Sequence, residues 1–100
     1  MSFSVRFTEE AQQDIQRLYT FILERDAPAW ENAERLLNAI QAAILSLEHN
    51  PFSCRKATTP FLRELVISFG ATGYVALFEI EVNQIVTILA IRHQREEDYH

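Results

Sequence analysis

Apolar residues along this chain fall into two alternating rhythms, and the boundaries between them divide it into six segments. Phe3, Val5 and Phe7 alternate with Ser4 and Arg6, the period-two pattern of a short half-buried strand. Thr8 is then placed to cap a helix, with Glu9 and Glu10 in the first turn, where the helix dipole favours carboxylates. Ala11, Ile15, Leu18, Tyr19 and Ile22 recur at three- and four-residue spacings and form one apolar stripe. Asp26-Ala27-Pro28 ends that helix, because proline is tolerated in the first turn of the next helix but not in the interior of this one.

A second, longer helix is expected from Pro28 to Glu48. Its stripe is Trp30, Ala33, Leu37, Ile40, Ile44 and Leu47, widened by Leu36 and Ala43, and stripes at this spacing pack a core. His49-Asn50-Pro51 stops it, since a residue before proline is pushed out of the helical region. Residues 52–60, FSCRKATTP, have no period and read as a loop carrying Arg55 and Lys56.

Three strands follow. Leu62 to Phe69 sets Arg63, Leu65, Ile67 and Phe69 on one face, and the stretch from Gly70 to Gly73 makes a turn. From Tyr74 to Val82, Tyr74, Ala76, Phe78, Ile80 and Val82 alternate with Val75, Leu77, Glu79 and Glu81. Asn83 suits a tight hairpin before the last strand, Ile85 to Ile91, which is apolar on both faces and therefore central. The order β-α-α-β-β-β implies an α+β fold with a helical hairpin packed on one face of a mostly antiparallel sheet, in one domain spanning residues 1–100. The other sheet face then presents Val75 and Leu77, an apolar patch suited to a partner protein.

Composition narrows the chemistry. The chain has 100 residues, 48% of them apolar, enough for one core without metals or disulfides. The single cysteine, Cys54, has no disulfide mate; the N-terminus lacks a signal-peptide pattern, and no run is long and apolar enough to span a membrane, so the cytoplasm is expected. A net charge of −5 argues against general nucleic-acid binding. That charge is uneven: residues 1–50 hold four basic and eight acidic side chains, while residues 51–100 hold five and six.

No metal site is expected, because His49, His93 and His100 are scattered and Cys54 lacks a second thiol at ligand spacing. No phosphate loop is expected, because Gly70 and Gly73 are the only glycines and mark a turn. Cys54 lies beside Arg55 and Lys56, which would lower its pKa, although a lone loop cysteine is usually a bystander.

What remains is Arg63, Arg92, His93, Arg95 and Tyr99. Arginines fork phosphate, histidine moves protons near neutral pH and tyrosine stacks on bases, a combination suited to RNA cleavage. The structural alternative pairs Arg92 and Arg95 with Glu79, Glu81 or the Glu96-Glu97-Asp98 run. Strand alternation also sends Arg92 and His93 to opposite faces, which works against a joint active site.

The opening VRFTEEAQQDI, Leu18-Tyr19 in the first helix, LEHNP closing the second, Phe61 to Leu65, GYVALFEIE and the ending ILAIRHQREEDY together resemble the RelE/ParE toxin superfamily, nearest its ParE branch. The resemblance implies the toxin of a type II toxin-antitoxin (plasmid stabilisation) pair, neutralised by a cognate antitoxin protein, with no cofactor. For ParE-like members the implied target is DNA gyrase, bound here through Arg63, Arg92, His93 and Arg95. The antitoxin would bind through Val75 and Leu77. RelE-like members instead imply cleavage of ribosome-bound mRNA, with Arg63, Arg92, His93 and Tyr99 as the catalytic candidates. One lysine and a net charge of −5 are poor provision for that chemistry and favour a protein-binding toxin that needs no catalysis. A third possibility is a non-toxic module that keeps the fold and only binds the antitoxin.

Overall fold

A computed structural model describes residues 2–25, 30–59, 61–70 and 72–96. The elements run β1 (Ser4–Phe7), α1 (Glu9–Arg25), α2 (Trp30–Leu45), β2 (Arg55–Lys56), β3 (Leu62–Phe69), β4 (Thr72–Glu81) and β5 (Ile85–His93). The strands form one sheet in the order β1-β5-β4-β3-β2, with the β1–β5 pair parallel and the others antiparallel. β5 is interior, as its two-sided apolar sequence requires.

Both helices cover one sheet face. Ala11 and Leu18 of α1 and Leu36, Ile40 and Ile44 of α2 pack with Ile67, Tyr74, Ala76, Phe78, Ile80, Val86, Ile88 and Ile91. Thr8 caps α1 as expected, its Oγ1 accepting the Ala11 N–H at 3.1 Å. Five local expectations differ, the first being Val82, which falls outside β4 and is 83% exposed. Trp30 is 59% exposed, because the buried stripe of α2 runs through Ala33, Leu36, Ile40 and Ile44, with Leu36 rather than Leu37 at its centre. The helix gives way at Ser46–Glu48 to a 3₁₀ turn that still buries Leu47. Thr72 and Gly73 belong to β4 rather than to the turn. Arg55 and Lys56, expected in a loop, form a two-residue edge strand opposite Glu64 and Arg63; two residues are too few to show a period. The expected start of α2 at Pro28 lies outside the described residues. Among those that are described, no helix is long and apolar enough to cross a membrane.

β5 is irregular at its entry and again midway along its length. Its entry is a hairpin in which consecutive residues Asn83 and Gln84 take left-handed φ values of 67° and 60°. Along its length, Leu77 pairs with Ala90 but Phe78 with Ile88, so Leu89 is a bulge. β1 ends opposite Ile88, and beyond that point, among the described residues, β5 has no strand on its β1 side. Thr8 and α1 close this edge. Thr8 N–H donates to the Ile88 carbonyl at 3.0 Å and Thr8 Oγ1 to the Leu89 carbonyl at 3.2 Å.

Candidate functional site

The exit of β5 is the point where strand, helix and cleft meet. On the helix-covered face, β5 ends at His93, whose ring meets Tyr74 edge-on with centroids 5.2 Å apart. The Arg95 backbone N–H donates to His93 Nδ1 at 3.1 Å, so in the neutral ring the proton sits on Nε2, which faces Thr72 Oγ1 at 2.5 Å. Both nitrogens therefore hold the ring in place and fold the chain after it.

On the open face, Arg92 stands cross-strand from Val75. Its Nη1 donates to the carbonyls of His93, Gln94 and Glu96 at 3.2, 3.3 and 2.6 Å. The tail thus wraps its own arginine. Gln94 N–H donates to the Gly73 carbonyl at 2.9 Å, and a Cβ on Gly73 would come within 2.7 Å of Gln94 Oε1, so glycine makes room for the fold-back. From α1, Arg17 grips the Glu96 carboxylate with both terminal nitrogens, at 2.8 and 3.4 Å.

A cleft of about 700 Å³ opens beside this clasp, between the helical hairpin and the end of the sheet. Leu18, Phe21, Ile22, Phe69 and Tyr74 supply its apolar wall; Arg17, Asn32, Thr72, His93, Arg95 and Glu96 supply polar groups. Phe21 is 56% exposed and leaves an aromatic ring at the rim. Volume and lining fit a site that seats apolar side chains and orients them through a few polar contacts.

The structure separates the residues singled out from the sequence. Arg92 and His93 lie on opposite faces, as strand alternation requires. Arg63 is removed from both: it is 9% exposed, and its Nη1 donates to the Phe52 and Cys54 carbonyls at 3.1 and 2.8 Å. The guanidinium also lies 5.3 Å from the centre of the Phe52 ring. Arg63 thus fastens the segment before β2 to the sheet instead of presenting a free cation. Arg55 pairs with Glu64 at 3.0 Å rather than joining a basic cluster. Among the acids named as alternative partners for Arg92 and Arg95, Glu81 is engaged by Arg6 and Thr87 and Glu96 by Arg17, while Glu97 and Asp98 lie outside the described residues. Tyr99 lies outside the described residues.

The open face also differs from expectation. Val75, placed on an exposed apolar patch by its alternation, is only 1% exposed although both described helices pack on the other sheet face. Its neighbours across the strands are Val66 and Arg92. Leu77 is half-buried and Val66 is 42% exposed, so the apolar surface of this face is centred nearer β3. For Cys54 the structure favours the bystander reading over a lowered pKa. Burial pushes its thiol pKa up, and neither the Arg63 charge nor the hydrogen bond with Ser53 cancels that effect. Among the described residues no group of histidine, cysteine and carboxylate side chains is arranged to hold a metal.

Sequence reasoning missed Asp14. It is 6% exposed, and its Oδ2 accepts the Ile91 backbone N–H at 2.9 Å. Its position on the apolar stripe of α1, between Ala11 and Leu18, was the available signal: a carboxylate there needs a buried donor.

Comparison with known proteins agrees with this architecture. The family described as ParE toxin of type II toxin-antitoxin system, parDE, matches residues 5–98. Toxin RelE1 of Caulobacter vibrioides is 33% identical over 97 residues, covering 97% of this chain and 99% of the relative. Toxin RelE3 of the same organism is 33% identical over 94 residues, covering 93% and 96%. A solved structure titled chromosomal ParDE TA system from P. aeruginosa superposes with a TM-score of 0.74 at 18% identity, over 92% of this chain and 96% of that one, and so shares the fold.

Proposed function

Because the chain belongs to the ParE toxin family of type II toxin-antitoxin systems, we propose that it acts by binding DNA gyrase through the β5 exit and is neutralised by a cognate antitoxin protein. His93 and Arg95, beside the cleft, make the target contacts, with Arg92 shaping the tail that carries them. Arg63 serves the same surface indirectly, by fixing the segment before β2. The antitoxin covers the open sheet face around Leu77 and Val66, with Val75 beneath. Such a target places the protein in the cytoplasm.

One observation carries the choice of a protein target over RNA chemistry. The groups a ribonuclease would converge on a phosphate are dispersed: Arg63 is buried and engaged with backbone carbonyls, and Arg92 and His93 lie on opposite faces. Transition-state stabilisation needs donors preorganised around one developing charge. The relatives named RelE1 and RelE3 keep a second reading in view, ribosome-dependent mRNA cleavage by Arg63, Arg92, His93 and Tyr99.

Purified protein is expected to inhibit gyrase supercoiling, with inhibition relieved by the antitoxin, and to leave message intact in a translation extract. Cleaved message together with unimpaired supercoiling would replace the first reading by the second. Neither effect, with no growth defect on induction, would indicate an antitoxin-binding module.

A further inference from the structure

We propose that Asp14 and Arg17 of α1 are positioning residues that set the direction of the β5 exit. The need for them follows from the topology. β1 stops opposite Ile88, so among the described residues the terminal part of β5 runs on without a strand on that side. In a regular sheet its inward amides there would meet a neighbouring strand; here the Ile91 N–H meets the Asp14 carboxylate at 2.9 Å. That bond is buried, and a buried bond to a charged acceptor is among the stronger ones a fold makes.

From Asp14 the link continues outward. Arg17, one helical turn on, has its Nη2 3.8 Å from Asp14 Oδ1, while the same guanidinium holds Glu96. Glu96 in turn gives its carbonyl to Arg92 and its N–H to the carbonyl of His93 at 3.0 Å. One helix face therefore holds β5 at Ile91 and the tail at Glu96, on either side of His93 and Arg95. Asp14 and Arg17 contact neither gyrase nor the antitoxin in this scheme. They act by fixing where His93 and Arg95 stand, and their role in inhibition rests on the reading of that exit as the target contact.

The test is amide hydrogen exchange on the full chain, run beside gyrase inhibition and antitoxin binding. Arg17→Gln leaves the buried carboxylate in place. It should speed exchange at Gln94 and Glu96 roughly tenfold, weaken inhibition by a similar factor, and leave Ile91 exchange and antitoxin affinity unchanged. Asp14→Leu should release Ile91 by roughly ten- to a hundredfold, the size of one lost bond to a charged acceptor. Because that variant risks misfolding, Asp14→Asn serves beside it: it keeps an acceptor for Ile91 and should retain Ile91 protection while loosening Glu96. Unchanged exchange at Gln94 and Glu96 in Arg17→Gln overturns the proposal, as does faster exchange with full inhibition. If the wild-type protein does not inhibit gyrase, the target reading fails while the exchange measurements still decide whether α1 holds the exit.

Discussion

Truncating Arg63 separates a fastening role from a recognition role. Arg63→Ala removes two hydrogen bonds from a charged donor to the Phe52 and Cys54 carbonyls. Each contributes about 1.5–3 kcal/mol in such settings. Loss of the guanidinium over the Phe52 ring adds about 0.5–1 kcal/mol. Two effects reduce the sum. Phe52 is 50% exposed, so its freed carbonyl regains water, and the buried Arg63 Nε, which has no acceptor among the described residues, no longer has to be desolvated. The expected net cost is about 3 kcal/mol. At about 4–8 °C per kcal/mol for a domain of this size, Tm should fall by roughly 12–24 °C. Arg95→Ala is the control, because an exposed surface substitution should stay within about 0.5 kcal/mol. Thermal unfolding followed by circular dichroism reads both. An Arg63→Ala protein as stable as wild type that fails to inhibit its target would refute this reasoning and make Arg63 a contact residue.

The Phe78 side chain is fully buried at the sheet centre, so Phe78→Ala should cost about 3–5 kcal/mol, read as a lower urea midpoint at unchanged slope. A second test is pH. The hydrogen bond from Thr87, reinforced by Arg6, holds the Glu81 carboxyl below its ordinary value of 4.5. The folded state therefore resists protonation more than the unfolded chain does, and the Glu81 contribution is present above that ordinary value and lost as pH falls through the lower folded one. Urea midpoints across the acid range should show a limb that flattens in Glu81→Gln; an identical limb in the variant would remove Glu81 as its cause. Burial of the Cys54 thiol predicts alkylation slower than that of a free model thiol at mildly alkaline pH, and a rate equal to the model thiol would contradict it.

The layered architecture was legible because it rests on periodicity. The three-four spacing of α1 and α2 and the alternation of β4 each follow from one repeated geometry, and the structure places most of those residues in one core, with Trp30 and Val82 left exposed. What escaped depends on pairings distant in sequence. A two-residue strand at Arg55–Lys56 exists only because Glu64 and Arg63 lie opposite it. That Val75 is buried shows only in the folded sheet, and the purpose of Asp14 depends on β1 ending at Ile88. For the site, alternation alone separated Arg92 from His93. The occupation of Arg63 by two carbonyls could be read only from the fold, because a strand pattern shows which way an arginine points but not which acceptors wait there.

The central claim is that the β5 exit carries target recognition, and Arg95→Glu tests it most directly. Arg95 borders the cleft, and its backbone N–H, not its side chain, makes the bond to His93, so reversing its charge leaves the clasp intact. The measurement is the concentration of protein that halves gyrase supercoiling, for wild type and for Arg95→Glu at matched Tm. The account predicts a rise of roughly tenfold or more, the scale on which a lost interfacial charge contact weakens binding, with antitoxin binding unchanged. Equal inhibition by the two proteins would contradict it and move the recognition surface away from β5.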